Sequence, residues 1–429
     1  MFGFANFLLL ALFAAAVFDL IFALARAGGL RGALHGLWNT PHLLFGQQLA
    51  EWRLQLGRIL FAAGLAAYEI SVVFCNSMAR QNWAWVQGVM SPVLEWLAFL
   101  CFGAKILFGT RYTWRELLAG GALYFIARWV YFNSQNIWWI GIVVAVLAAK
   151  DVPLRRPLQL YFASGCAAMA VVLALHFAGI VAPDLTSERM GALRGTYGYG
   201  HPNTFGGLVF GLVLAYALLR AQKVRWVDCL LVFAVGVFLL VGPASRSAAL
   251  CTLALAVGLV FCRLRAGHSV PRWWPGTCAG MVGLTAAVSY LLPLLVIKVG
   301  PWNNDIGPAW LAKLDSLLTC RISLTWMAYR LLDVKIAGQV FNWPTVDNSF
   351  AFALFQFGPV VAALLGILFA AALLGHAKQG RRVEVCCLFA MLAYAYMEVQ
   401  PFHLTTNPTA LLLCGAVFAQ TSARWQKIE

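Results

Sequence analysis

Charge is what this chain has least of. Only 11% of its 429 residues are Asp, Glu, Lys or Arg, where a soluble chain carries about 25%. Residues of the set AVILMFWYC make up 62%, against about 45–50% in soluble proteins even with Gly counted. A soluble enzyme is excluded on that ground. The alternation of apolar and polar residues that marks a membrane strand barrel is missing too, because the apolar residues come in runs of about 20. In lipid, such runs satisfy their backbone only as helices. The eleven cysteines form no CxxC pair and no metal-type spacing, which excludes a disulfide scaffold. Ten lie in apolar runs and one, Cys320, in a polar stretch, so they read as small core hydrophobes.

Basic residues outnumber acidic ones, 31 to 16, for a net charge of +15. This excess does not mark a nucleic-acid partner, because it sits in short connectors between the apolar runs. Those connectors are Arg26 and Arg31, Arg111 and Arg115, Lys150 to Arg156, Arg220 to Arg225, Arg263 to Arg272, Lys378 to Arg382, and Arg424 to Lys427. Basic connectors stay on the cytoplasmic side of a membrane, so the charge reports orientation, with some contact to anionic lipid.

Apolar runs occur near 2–25, 59–78, 88–108, 116–133, 136–149, 157–181, 202–219, 226–243, 247–263, 276–298, 348–374, 383–399 and 408–421. The expected fold is an all-α, polytopic integral membrane protein with about 12–13 transmembrane helices. The first run lacks a basic leader and a small-residue cleavage site before Arg26, so it reads as a span rather than a signal peptide. Alternation of the basic connectors places the C-terminus in the cytoplasm and, with thirteen spans, the N-terminus outside. The connectors 77–87, 183–201, 243–246, 299–347 and 400–407 then share the outer side. The stretch 30–56 is too polar to span and is expected at the interface.

Residues 1–182 read as N-terminal spans, and 183–429 as the region that carries chemistry. Within it, 299–347 is the longest polar interruption, and loops beyond about 12–15 residues are commonly functional. Trp310, Leu311, Leu314, Leu317 and Leu318 recur at helical spacing, as do Ile322, Leu324, Met327, Leu331 and Leu332. The spacing predicts two amphipathic helices resting on the outer membrane surface. Neither a fixed-period repeat nor an inverted pair of halves is visible, which counts against a transporter.

Four segments of this region are polar in informative ways. Residues 187–207 form a Gly-rich outer loop feeding a span, with His201, Pro202 and Asn203 where the helix would start. A helix start beside Arg194 suits an anion, and an ordinary capped helix is the plainer alternative. Ser245-Arg246-Ser247 puts one cation between two apolar runs, as a functional residue or as an Arg reaching to lipid phosphate. Leu317 to Ile322 places Arg321 on the second loop helix, and Asp347-Asn348-Ser349 opens the next span. Asp347 could equally be a helix cap.

Together these segments resemble the O-antigen ligase/polymerase superfamily, and its repeat-unit polymerase branch more closely than its ligase branch. Arg194 to Gly206, R-G-T-Y-G-Y-G-H-P-N-T-F-G, is similar to that family's R-x-S-x-G-F-x-H-P-N-x-x-G segment. Ser245-Arg246-Ser247-Ala248 resembles its S-R-[GS]-A element. Leu317 to Ile322 resembles L-x-S-G-R-hydrophobic, with Thr319-Cys320 in place of Ser-Gly. Asp347-Asn348-Ser349-Phe350 with Phe357-Gly358 is similar to D-N-[ST]-aromatic followed by [YF]-G, and Glu398 with Asn407 resembles a late element. The likeness covers about 190–415.

The resemblance implies a glycosyltransferase that joins glycan units carried on undecaprenyl pyrophosphate at the outer face of the cytoplasmic membrane, without metal or other cofactor. Arg194, Arg246 and Arg321 would clamp the pyrophosphate leaving group as it gains charge. Asp347 would accept the proton of the attacking hydroxyl, and His201, Asn203, Asn348 and Glu398 would bind substrate. His201 and Glu398 are the reserve candidates for the base. Ligases tend to carry a His where this chain has Asp347, which favours polymerase. The expected partners are the lipid-linked donor, a glycan acceptor, the bilayer, a flippase and a chain-length regulator, and no nucleic acid. The alternatives are a ligase that hands the glycan to another acceptor, and a secondary transporter. Asp19, Glu69, Glu95 and Arg128 lie inside apolar runs and read as paired or interfacial charges; Glu69 could pair with a basic residue in the bundle.

Overall fold

A computed structural model describes residues 2–27, 29–46, 51–181, 187–189, 192–297 and 307–418. The last basic connector, Arg424 to Lys427, the end of the 408–421 run and the first part of the 299–347 loop fall outside the described residues. In the N-terminal half the helices are α1 (Phe2–Ala27), α2 (Leu30–Asn39), α3 (Glu51–Cys75), α4 (Ala79–Asn82), α5 (Ser91–Phe108), α6 (Trp114–Ser134), α7 (Ile137–Ala148) and α8 (Arg155–Phe177). The C-terminal half has α9 (Pro202–Leu219), α10 (Trp226–Val241), α11 (Arg246–Leu264), α12 (Trp274–Leu291), α13 (Ala309–Leu317), α14 (Arg321–Leu331), α15 (Ser349–Phe352), α16 (Pro359–Lys378), α17 (Arg382–Met397) and α18 (Cys414–Val417).

Among the described residues, eight helices are long and apolar enough to cross a membrane. Their outer faces carry bare apolar side chains, such as Phe7, Leu10 and Phe13 on α1 and Leu250 and Val257 on α11. A monomer in water does not leave so much apolar surface exposed. The chain is an all-α, multi-pass membrane protein. Among the described residues, strand occurs only as two short antiparallel pairs, β1 (His42–Leu43) with β2 (Arg111–Tyr112) and β3 (Ser187–Arg189) with β4 (Ala192–Arg194). In the bundle α3 packs on α5 and α8, α10 on α11, α11 on α17, and α12 on α16. All eleven cysteines are free thiols.

Three expectations need correction. The interfacial stretch 30–56 is a surface helix only over α2, whose Ala33 and Leu37 are buried; from Glu51 the chain is already inside α3. A carboxylate in a helix's first turn complements its dipole, so the charges at 51–58 begin a span rather than preclude one. The 348–374 run is not one span but α15, a wide π turn over Ala353–Phe357, and α16. Gly358 has φ 87°, and a Cβ there would sit 2.1 Å from the carbonyl oxygen of Ile336. The loop before α15 therefore lies directly on the break, and only glycine fits. Thirdly, the 408–421 run starts as a 3-10 helix, Pro408–Leu413.

The connector before it does not stay outside the bundle either. The Tyr161 hydroxyl of α8 donates to the carbonyl of Thr405, and that oxygen would be 2.5 Å from a Cβ on Gly211, midway along α9. Thr405, Thr406, Asn407 and Thr409 are all buried. Non-helical backbone at this depth is tolerated because protein, not lipid, surrounds it.

The two loop helices form where the spacing predicts them, as α13 and α14. Their buried positions Leu311 and Ile322 join Val296 in a small core of their own.

Candidate functional site

Three helices bring one end each to the same place. α9 starts at Pro202, whose fixed φ suits a first helical position; the cap is His201, whose Nδ1 accepts from the Asn203 N–H at 3.1 Å. α11 starts at Arg246, and α17 ends at Met397, leaving Glu398 in extended backbone. The close approach of α9 depends on glycine, since a Cβ on Gly207 would lie 1.9 Å from Oε1 of Gln400. Gln400 fills that space, accepting from the Tyr394 hydroxyl at 2.7 Å and donating to the Asn203 carbonyl at 3.2 Å.

Glu398 is the hub. Its Oε1 accepts from an Arg321 guanidinium nitrogen at 2.5 Å, from the Ser247 hydroxyl at 2.8 Å and from Asn203 Nδ2 at 3.1 Å. Asn203 in turn accepts from Arg194 at 2.9 Å, and Arg194 also donates to the Ala244 carbonyl at 3.3 Å. Arg194, Arg321 and Glu398 are all at least nine-tenths buried. Burial holds the Glu398 carboxyl above its ordinary range, and the nearby Asp347 charge adds to that rise; Arg321 and the Ser247 hydroxyl pull the other way.

Arg321 is held from several sides. It donates to the carbonyls of Leu318 at 2.9 Å and of Met397, and to the Thr319 hydroxyl. The turn before it puts Thr319 and Cys320 at φ 60° and 63°, the left-handed region that L residues adopt at a cost. Asp315 then caps α14, accepting from the N–H groups of Ile322 at 2.8 Å and Ser323 at 3.1 Å.

Asn348 is the cap of α15, its Oδ1 accepting from Phe350 N–H at 2.9 Å and Ala351 N–H at 3.0 Å. Its amide reaches the Ser289 hydroxyl and the Tyr396 carbonyl, both at 3.0 Å. Ser349 donates to the Glu398 carbonyl at 2.6 Å. The cap is thus Asn348 and not Asp347. The half-buried Asp347 carboxylate has no hydrogen-bond or ion-pair partner among the described residues, yet it lies close enough to Glu398 for their charges to repel.

The structure therefore gathers Arg194, Asn203, Arg321 and Glu398 into one network, with Asp347 and Asn348 beside it. Arg246 stands exposed between two members of that neighbourhood, Ser245 and Ser247. His201 is exposed at the α9 cap. The Gly-rich loop packs on the α3–α4 junction, where Met78 N–H donates to the Gly198 carbonyl at 2.8 Å. Sequence reasoning gave no role to Ser247, Gln400 or Ser349 and none to Asp315; single hydroxyl and amide residues carry no spacing signal. Among the described residues no group of three or more His, Cys, Asp or Glu could hold a metal ion.

Of the charges within apolar runs, Asp19 lies 3.5 Å from His42. Arg128 donates to Asn6 at 2.8 Å and lies over the Phe132 ring. Glu69 is buried against Gly165 and makes no ion pair among the described residues. Compared with known protein families, with curated proteins and with solved structures, the chain matches none.

Proposed function

We propose that this protein is a polysaccharide polymerase, a membrane glycosyltransferase that joins undecaprenyl-pyrophosphate-linked repeat units at the outer face of the cytoplasmic membrane. The observation that supports this most is the double hold of Glu398 on two arginines from distant segments. It binds Arg321 directly and Arg194 through Asn203, with Arg246 and Asp347 alongside. The five motif elements that resemble the O-antigen ligase/polymerase superfamily supply these residues.

The reaction is a single displacement. The acceptor hydroxyl oxygen bonds to the anomeric carbon, its proton passes to Asp347, and the electron pair of the broken bond leaves on the pyrophosphate oxygen. Preorganised arginines favour the charge that builds there, and hold it without reorganising. Arg246 and Arg194 contact the leaving group, while Glu398 is a positioning residue that keeps Arg321 and Asn203 in place. Asp347 suits the base role because its carboxylate is not consumed by the network. The positive-inside rule sets the basic connectors at the other end of α9, α11 and α17 in the cytoplasm and this site outside. A flippase would supply its donor, and a chain-length regulator would act on its product.

The test is purified protein with lipid-linked repeat units. Long chains that remain on the carrier lipid support a polymerase, transfer to a different acceptor makes the protein a ligase, and no glycosyl transfer at all sinks both. The buried, non-helical stretch Thr405 to Asn407 favours one other reading, a secondary transporter, since transporters bind substrate at broken helices at mid-depth. Uptake of a solute by proteoliposomes in the absence of glycosyl transfer would establish that instead.

A further inference from the structure

The far ends of α9, α11 and α17 meet a second time. These helices are 18, 19 and 16 residues long, so the meeting point lies about 24–28 Å from the Glu398 network at 1.5 Å per residue. There, with the start of α8, they enclose a cavity of about 720 Å3. Its lining carries six cations, Arg155, Arg220, Lys223, Arg263, Arg381 and Arg382, and a single carboxylate, Glu384. The cations come from four separate stretches of chain, so the fold, not a local basic run, concentrates them.

Arg220 and Arg382 are committed to the protein. Arg220 pairs with Asp228 at 3.2 Å, and Arg382 donates to the carbonyls of Arg265 and His268, which fixes the loop forming one wall. Arg155, Lys223 and Arg263 are exposed at the rim. Beneath them the floor is apolar, made by Leu158, Leu218 and Leu412, all buried. A cationic rim above an apolar floor, at the level of the helix ends, matches an amphiphile whose head is an anion. Basic pockets between membrane helices hold phosphate head groups in this way, and an arginine cluster prefers phosphate for its bidentate geometry.

We propose that this cavity binds a phosphate-bearing anion, with the phosphate held by Arg155, Lys223 and Arg263 and its apolar part over the leucine floor. The site is separate from the Glu398 network and does not depend on glycosyl transfer. Phosphate here comes either from a membrane phospholipid or from a soluble phosphate compound, and one experiment separates the two.

The melting temperature of the full-length protein is measured in neutral detergent with added phosphatidylglycerol, phosphatidylcholine or inorganic pyrophosphate, since a ligand that binds only the folded state raises it. A saturable rise with phosphatidylglycerol but not phosphatidylcholine supports a lipid head group; a saturable rise with pyrophosphate alone supports a soluble phosphate. The triple variant Arg155→Gln, Lys223→Gln, Arg263→Gln should weaken either response by about a hundredfold, at about fivefold per cation. Its melting in phosphatidylcholine reports whether it folds, and Lys223→Gln alone, at an exposed rim position, should still weaken the response about fivefold. No response of the native protein to either anion, or an unchanged response in the folded variants, overturns the proposal.

Discussion

Arg321 and Glu398 lie 2.5 Å apart, with both side chains more than nine-tenths buried, and join the start of α14 to the end of α17 across 77 residues of sequence. The pair anchors the large loop to the bundle. Removing one partner of a buried pair leaves the other charge uncompensated, at about 3–5 kcal/mol, whereas replacing both is far milder. Arg321→Met should therefore destabilise the protein strongly, and Arg321→Met with Glu398→Gln should recover most of that loss without recovering activity. Denaturation in detergent of the two single variants and the double one measures the coupling. Additive losses would mean that the pair does not anchor the loop.

At Asp347 the competing structural role is already taken, because Asn348 caps α15. Asp347→Asn removes no hydrogen bond or ion pair among the described residues and is nearly isosteric, so it should leave the stability within about 0.5 kcal/mol of native, and it should abolish turnover because an amide is not a base. Donor binding measured on the same variant should be near normal. Polymerisation at the native rate would remove Asp347 from the mechanism and leave His201 as the base candidate.

Arg246 distinguishes charge from geometry. It is exposed at the first position of α11, so Arg246→Lys keeps the charge at little cost in stability, but Lys cannot make a bidentate contact with pyrophosphate. Loss of one transition-state contact costs about 3–4 kcal/mol, a hundredfold or more in rate. A Lys variant with the native rate and chain length would place Arg246 outside the reaction.

Much of this architecture was legible in the sequence because lipid leaves little choice. Apolar runs must be helices, and the spacing of Leu311, Leu314 and Ile322 announced the loop helices whose inner faces do bury Leu311 and Ile322. The break at Gly358 was read through because apolar residues run on either side of it, although Gly358-Pro359 is a helix-breaking pair; the close approach of the Ile336 carbonyl, which only glycine allows, was not legible. The inward course of 403–407 was hidden for a similar reason: its Thr and Asn residues look like an outer loop until Tyr161 and Gly211 are seen against Thr405. In the site, arginines stood out because they are scarce among apolar runs. Glu398 was visible as a residue but not as the hub, because its partners Asn203, Ser247 and Arg321 are distant in the chain.

Cys320 occupies a left-handed position, φ 63°, where the family element it resembles has glycine. A non-glycine residue there carries about 1 kcal/mol of backbone strain. Cys320→Gly should stabilise the protein by about that amount, with activity retained, because the hydrogen bonds described for Arg321 go to Leu318, Thr319, Met397 and Glu398 and none of them to the Cys320 side chain. Equal or lower stability of the Gly variant by chemical denaturation would show that the Cys320 side chain contributes more than its strain costs.

The pH dependence of turnover should report Glu398. The hub works as an ionised carboxylate, since protonation at Oε1 would cost it the Arg321 pair and release Asn203. Burial and the Asp347 charge raise its pKa above the ordinary value, which for a carboxyl means that the proton returns at a higher pH than about 4.3. Activity should be full above that raised pKa and fall as pH drops through it, so the acid limb of kcat/KM should lie above the ordinary carboxylate range. Glu398→Gln cannot ionise. Its residual activity should lack that limb, and any remaining acid limb should belong to the base alone. An unchanged limb in the Gln variant would assign the titration to another group and leave Glu398 a purely structural tether.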